Sequence, residues 1–294
     1  MKKVFLSSIV LMMALVAQAQ VKVAPKLQNG FKAVYTEVST ASVAGTEETT
    51  TTETEYVVSD VTANGAVITA TLVDIKSDEG QSDAMSALLT MGESIMKGIS
   101  IKMSTDADGQ VTGILNLDEV KKKATEMAST IVEGMLKENP EVEQVMSKET
   151  LMAQMTNSFT EEALMNSIKS AGVLALNGKT INSGATENVV NEQGMNMKRM
   201  YFVTGKNIIA NSTLDMSKDQ LKAFIIKQVS AVSPDQAEMV KDNIDLVLGQ
   251  MKFNATTKST YELQDNGWVK SLKTETSTDV MGQAQKRTSV ITLK

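Results

Sequence analysis

The sequence predicts an α+β domain: a curved, half-barrel-like antiparallel β-sheet with amphipathic helices packed on one face. Three observations lead there. Thr- and Val-rich segments alternate apolar and polar residues, as in 251–263, where Met251, Phe253, Ala255, Tyr261 and Leu263 share one phase and Lys252, Asn254, Lys258 and Glu262 the other. Tight-turn signals such as Asn64-Gly65 and Asp265-Asn266-Gly267 separate these segments. Three other stretches, 83–97, 118–170 and 218–249, change to helical spacing. Alternation with a polar phase means an antiparallel sheet with one wetter side.

In chain order, 31–43 and 49–61 form a long hairpin across the Ala44-Gly45 corner, with a Thr-rich outer part around Thr49 to Thr52 that has almost no apolar face. Asn64-Gly65 then joins strands 56–62 and 66–75 through a type I′ turn, since both residues tolerate positive φ. Residues 83–97 read as a helix, and strands 99–104 and 110–116 flank the turn Asp106-Ala107-Asp108-Gly109. Val120, Ala124, Met127, Ala128, Ile131 and Met135 make one stripe of a long helix, ended by Asn139-Pro140, where a second begins. Thr160 opens a short helix to about Ser170, and strands follow at about 179–192, 195–204 and 207–215. Ser217 with Gln220 and Ser233 with Gln236 are capping boxes for helices over 218–231 and 234–249. Strands 251–263, one starting at Trp268, and 285–293 close the chain.

Residues 20–294 read as a single β-rich α+β domain. Leu117-Asp118 followed by Pro140-Glu141, and Leu214-Asp215 followed by Pro234-Asp235, repeat one order of elements. If that order marks a duplication, the domain has two related halves, about 20–175 and 176–294. Ahead of the domain, Lys2 and Lys3, the apolar run Val4 to Val16 and Ala17-Gln18-Ala19 have the form of a signal peptide over 1–19, with Gln20 as mature N-terminus. The run is shorter than the roughly 20 residues a membrane span needs, so no transmembrane segment is expected in the mature chain. The expected location is the periplasm or cell envelope, or outside the cell.

Composition excludes more chemistry than it admits. The chain has no His and no Cys, which removes Ser-His-Asp and Cys-His catalysis, zinc sites built on those ligands, and thiol redox chemistry. The 29 basic and 35 acidic residues become 27 and 35 without Lys2 and Lys3, a balance of −8 that disfavours nucleic acid. No nucleotide-cradling glycine motif is present, no cofactor is expected, and no catalytic residue is assigned. A carboxylate pair or a Ser/Lys pair is the residual enzymatic option, and the charges lie mostly on polar phases. Asp106-Ala107-Asp108-Gly109 resembles the start of a calcium loop, but Gly109 comes too early and Leu117 stands where the bidentate acid belongs. Met195, Met197 and Met200 offer thioethers, yet on a strand Met200 points away from the other two, so core filling is expected.

Methionine is abundant, with 20 in all, and it suits both irregular cores and surfaces that adapt to apolar ligands. The residues expected to line an apolar groove between sheet and helices are Met127, Ile131, Met135, Met155, Met165, Ile225 and Met239. The expected function is non-catalytic binding of an apolar ligand or lipid there; the other reading is a structural or protein-interaction module of the envelope, with an envelope protein as partner.

The runs Leu176-Asn-Gly-Lys-Thr180, Met197-Lys-Arg-Met-Tyr-Phe-Val203, Thr260-Tyr-Glu-Leu-Gln-Asp-Asn-Gly-Trp-Val-Lys270 and Met281-Gly-Gln283 resemble uncharacterised exported proteins of Bacteroidetes, a domain-of-unknown-function type. The resemblance covers most of the mature chain and rests on turn and strand signatures. It implies a Gram-negative periplasmic or outer-membrane setting and transfers no functional residue.

Overall fold

The computed structural model describes residues 19–43, 46–77, 97–140, 147–156, 159–191, 194–232, 253–280 and 283–294, with 238, 241, 243–245 and 248. Residues 1–18 of the expected signal peptide, the helix expected over 83–97 (except Lys97) and most of the one expected over 234–249 lie outside them.

Two antiparallel meanders build one eleven-stranded sheet. The first runs β2 (Lys32–Val43), β3 (Thr46–Thr62), β4 (Gly65–Ser77), β5 (Ser100–Thr105) and β6 (Val111–Ile114). The second runs β8 (Thr186–Val190), β9 (Asn196–Thr204), β10 (Asn207–Leu214), β11 (Phe253–Leu263), β12 (Val269–Val280) and β13 (Gln283–Leu293). The first and last of these strands join the meanders, with Val38 opposite Val290, which leaves β6 and β8 as the edges. A separate two-stranded sheet pairs β1 (Gln20–Lys22) with β7 (Thr180–Asn182).

Four helices are described: α1 (Leu117–Glu138), α2 (Lys148–Thr156), α3 (Glu161–Ser170) and α4 (Lys218–Val232). The α1–α3 segment separates the meanders, whereas α4 interrupts the second one, so the helices sit at different points of the two. The cap expected at Thr160 is formed, its hydroxyl accepting from the Ala163 amide at 3.2 Å. The first capping box is formed reciprocally: the Gln220 amide donates to Ser217 Oγ at 3.2 Å and the Ser217 amide to Gln220 Oε1 at 2.8 Å.

The short helix α3 shows how strongly the sheet curves. It contacts both edge strands, β6 and β8. In a flat sheet of this strand order those edges would stand about 50 Å apart, at roughly 4.8 Å per strand. A ten-residue helix spans about 15 Å. The sheet therefore curls until its edges approach, and α3 bridges the seam. The main core fills one end of the curl, combining Tyr35 and Ile68 from the first meander with Tyr201, Ile208 and Leu272 from the second. At β11 and β12 the outer phase carries Lys258, Lys273 and Glu275, a solvated surface in which Lys273 and Glu275 pair at 2.8 Å.

Two local expectations are corrected, and one strand is new. The strand expected over 179–192 breaks into β7 and β8, because Gly184 takes φ +83 and its amide turns to the Tyr201 carbonyl. Asn64 does not adopt the positive φ of a type I′ turn; Asp60 does instead (φ 52), and the β3–β4 register shifts between Ser59 and Thr62. Strand β1 has no counterpart in the sequence reading.

Candidate functional site

Period-two alternation sends one phase of every long strand into the curl, and the character of that phase changes along the strands. At the closed end it is apolar and aromatic. Trp268, 1% exposed, stacks on Phe31 at 4.9 Å between centroids, and the Tyr35 hydroxyl donates to the Val269 carbonyl at 2.6 Å. The segment after α3 dips into this end, so Val173, Leu174, Ala175 and Leu176 are all buried.

Above that floor lies a cavity of about 630 Å³. One wall is apolar: Leu72, Ile101 and Met103 from β4 and β5, with Ile168 of α3 and Val173 and Leu174 after it. The other wall mixes hydroxyls with apolar side chains such as Met197 and Leu272. On β11 and β12, Thr257 and Thr276 face each other with their oxygens 3.3 Å apart, and Ser259 and Thr274 at 3.2 Å. Strand pairing places these residues directly opposite, so in each pair one hydroxyl donates to the other while both line the space. Further along, Glu37 accepts from Ser289 at 2.6 Å and Arg287 donates to Ser39 at 3.0 Å. Lys286 and Arg287 are exposed there, so the lining becomes charged at the solvent end.

One charged side chain is buried among the described residues: Arg199 of β9, 6% exposed and part of the cavity lining. Its Nε donates to Ser212 Oγ at 3.1 Å and one Nη to the Ser170 carbonyl at 2.7 Å, which ties β9 to β10 and to the end of α3. The other, Nη1, lies 3.6 Å from a Glu187 oxygen and makes no hydrogen bond. Glu187 of β8 accepts both from Lys179, at 3.0 and 3.2 Å, and from the Tyr201 hydroxyl. Burial pushes the Glu187 carboxyl up, but hydrogen bonds from Tyr201 and Lys179, with the Lys179 and Arg199 charges, outweigh it and hold it below its usual range. Burial raises the Tyr201 phenol; the nearby Arg199 charge and a contact of the Arg199 guanidinium with the phenol oxygen, too long or bent to count as a full hydrogen bond, oppose this, and the bond to Glu187 reinforces it. The cluster therefore holds two cations against one anion.

The six described residues of the expected groove fall elsewhere. Met127 is buried in the α1 stripe with Val120, Ala124 and Ala128, while Ile131 and Met135 are half-buried on that helix and Met155 on α2. Met165 packs on the main core from α3, one turn before the cavity-lining Ile168, and Ile225 packs with Leu221, Ile244 and Leu248. Met239 lies outside the described residues. None of the six described residues lines the cavity, which is built mainly from strands. The signal that could have found it is in 251–263: Thr257 and Ser259 hold the two positions where the inward stripe stops being apolar.

The other motifs resolve as packing. Asp106 accepts from the amides of Asp108 at 3.0 Å and Gln110 at 2.9 Å, closing a hairpin turn. Met195 and Met197 are buried with Ala255, while Met200 is 40% exposed on the opposite face. Among the described residues no carboxylate is buried and no cluster of metal-ligating side chains occurs.

No protein-family model matches the chain, and neither does any curated protein. Two solved structures are similar at 10% identity. One, on lipid–protein interactions in lipovitellin, aligns over 92% of this chain and 25% of its own at a TM-score of 0.40, so this chain spans about a quarter of it. The other, a porin-like protein from Bacteroides uniformis, aligns over 90% of this chain and 96% of its own at a TM-score of 0.18.

Proposed function

We propose that this chain is an exported, non-catalytic binding protein of the Gram-negative envelope that holds the apolar part of an amphiphile inside its curled sheet. The observation that carries this reading is the cavity of about 630 Å³, inside the usual range for small-molecule sites, with Leu72, Ile101, Met103 and Leu174 in its lining. Burying an alkyl chain against that wall is favourable by about 0.8 kcal/mol per methylene. The hydroxyls of β11 and β12 already make one bond per pair across the strands, which lowers the cost of setting an alkyl chain beside them. Export is supported by Lys2, Lys3 and the Val4 to Val16 run, and the envelope setting by the resemblance to exported Bacteroidetes proteins.

A ligand that binds only the folded state raises its stability by about 2.7 kcal/mol at a hundredfold excess over the dissociation constant. The test is a thermal-melt panel of the purified, delipidated protein with single-chain amphiphiles. The expected result is an increase of about 5 °C or more for at least one class. No increase with any of them would return the protein to the interaction-module reading.

A further inference from the structure

We infer that the cavity takes a single-chain amphiphile with a singly charged anionic headgroup, a carboxylate by preference, anchored by Arg199; this rests on the binding role proposed above. Four observations support it. Arg199 is more than nine-tenths buried and lines the cavity, so a guanidinium has been taken out of water into the wall of a partly apolar space. Such burial is costly unless the donors are satisfied. Its Nε and one Nη are satisfied by Ser212 and Ser170, but Nη1 has no hydrogen-bond acceptor.

Glu187 does not fill that role. Its oxygens already accept from Lys179 and Tyr201, and 3.6 Å to Nη1 is beyond a hydrogen bond. With Lys179 and Arg199 against Glu187 alone, the cluster carries one uncompensated positive charge. One monoanion supplies both the missing acceptor and the missing charge, whereas a dianionic phosphate would leave the site net negative. Finally, Met197 and Val189, neighbours of Arg199 and Glu187 on the same strands, are apolar and line the same cavity. The anchor is therefore continuous with a surface for the chain.

The experiment compares three probes of equal chain length, a fatty acid, the corresponding alcohol and an alkyl phosphate, by calorimetric titration at pH 7.5 into delipidated protein. The acid is expected to bind at least about tenfold tighter than the alcohol and tighter than the phosphate, in line with a charge-assisted hydrogen bond. In Arg199→Met the acid should fall to the affinity of the alcohol, while alcohol binding persists. Equal binding of acid and alcohol by the unaltered protein would overturn the anchor and leave the apolar role standing; preference for the phosphate would overturn the choice of monoanion. If no probe binds, the proposed function itself fails. The headgroup comparison in the unaltered protein needs no variant, so it stands even where Arg199→Met does not fold.

Discussion

Leu176 tests whether the segment after α3 belongs to the core or merely covers it. Its side chain is 0% exposed within the main cluster, at the closed end of the curl. The surrounding backbone is pinned: Asn177 donates to Leu174, Lys179 to Leu176, Gly178 to Val23 at 2.7 Å and Val23 to Lys179 at 2.9 Å. A site held this way cannot collapse around a lost side chain. For Leu176→Ala the transfer loss of about 2 kcal/mol is thus joined by a cavity cost, for a total of about 3–4 kcal/mol. Trp268 is the only tryptophan and lies in the same cluster, so urea unfolding followed by its fluorescence reads the change locally. As a control, Leu115→Ala removes a side chain that is 56% exposed and should stay within about 0.5 kcal/mol of the parent. A Leu176→Ala loss under about 1 kcal/mol would refute the claim that this segment is core.

Three further outcomes are expected. Gly178→Ala should cost at least twice as much as Gly30→Ala in urea unfolding: both glycines have φ near +78, but a Cβ at Gly178 would stand 2.6 Å from Gln110 Cβ whereas Gly30 has nothing within 4 Å. The Gly30 change isolates the backbone strain of about 1 kcal/mol, and equal costs would remove the proposed contact with Gln110. Because the folded Glu187 carboxyl is held below its unfolded value, its contribution is complete above the unfolded pKa of about 4.3 and is lost as the pH falls through the folded value. The stability gap between the parent and Glu187→Gln should then narrow on acidification from pH 7 to 3, and a widening gap would reverse the assignment. Mass spectrometry of the exported protein should find Gln20 at the N-terminus, and a membrane-retained chain still carrying residues 1–19 would contradict export.

The fold was legible where local rules decide it. Strand phase follows from side chains such as Ala255, Tyr261 and Leu263, and the Ser217–Gln220 and Thr160 caps from their own chemistry. Non-local geometry was not legible. Pairing of β2 with β13 joins residues some 250 apart, and nothing in either strand alone specifies that partner. The break at Gly184 depends on the Tyr201 carbonyl waiting for its amide, a tertiary contact. The cavity was missed for a related reason. Apolar helical residues such as Met127 were expected to line it, but Met127 is buried in the α1 stripe and Met165 packs on the main core instead. Inward threonines and serines look like a solvated face until the curl places them inside, and Arg199 sits in an alternating strand whose neighbours are buried methionine and tyrosine.

The central claim, that the interior of the curled sheet is the binding site, is tested most directly by photo-crosslinking a diazirine-bearing fatty acid to the delipidated protein and mapping the adducts by peptide mass spectrometry. The account predicts adducts in 70–72, 99–103 and 167–174, the apolar wall and the seam helix, competed away by unlabelled fatty acid. Adducts confined to the α1 and α2 faces around Ile131, Met135 and Met155, or uncompeted labelling spread over the outer strands, would contradict it.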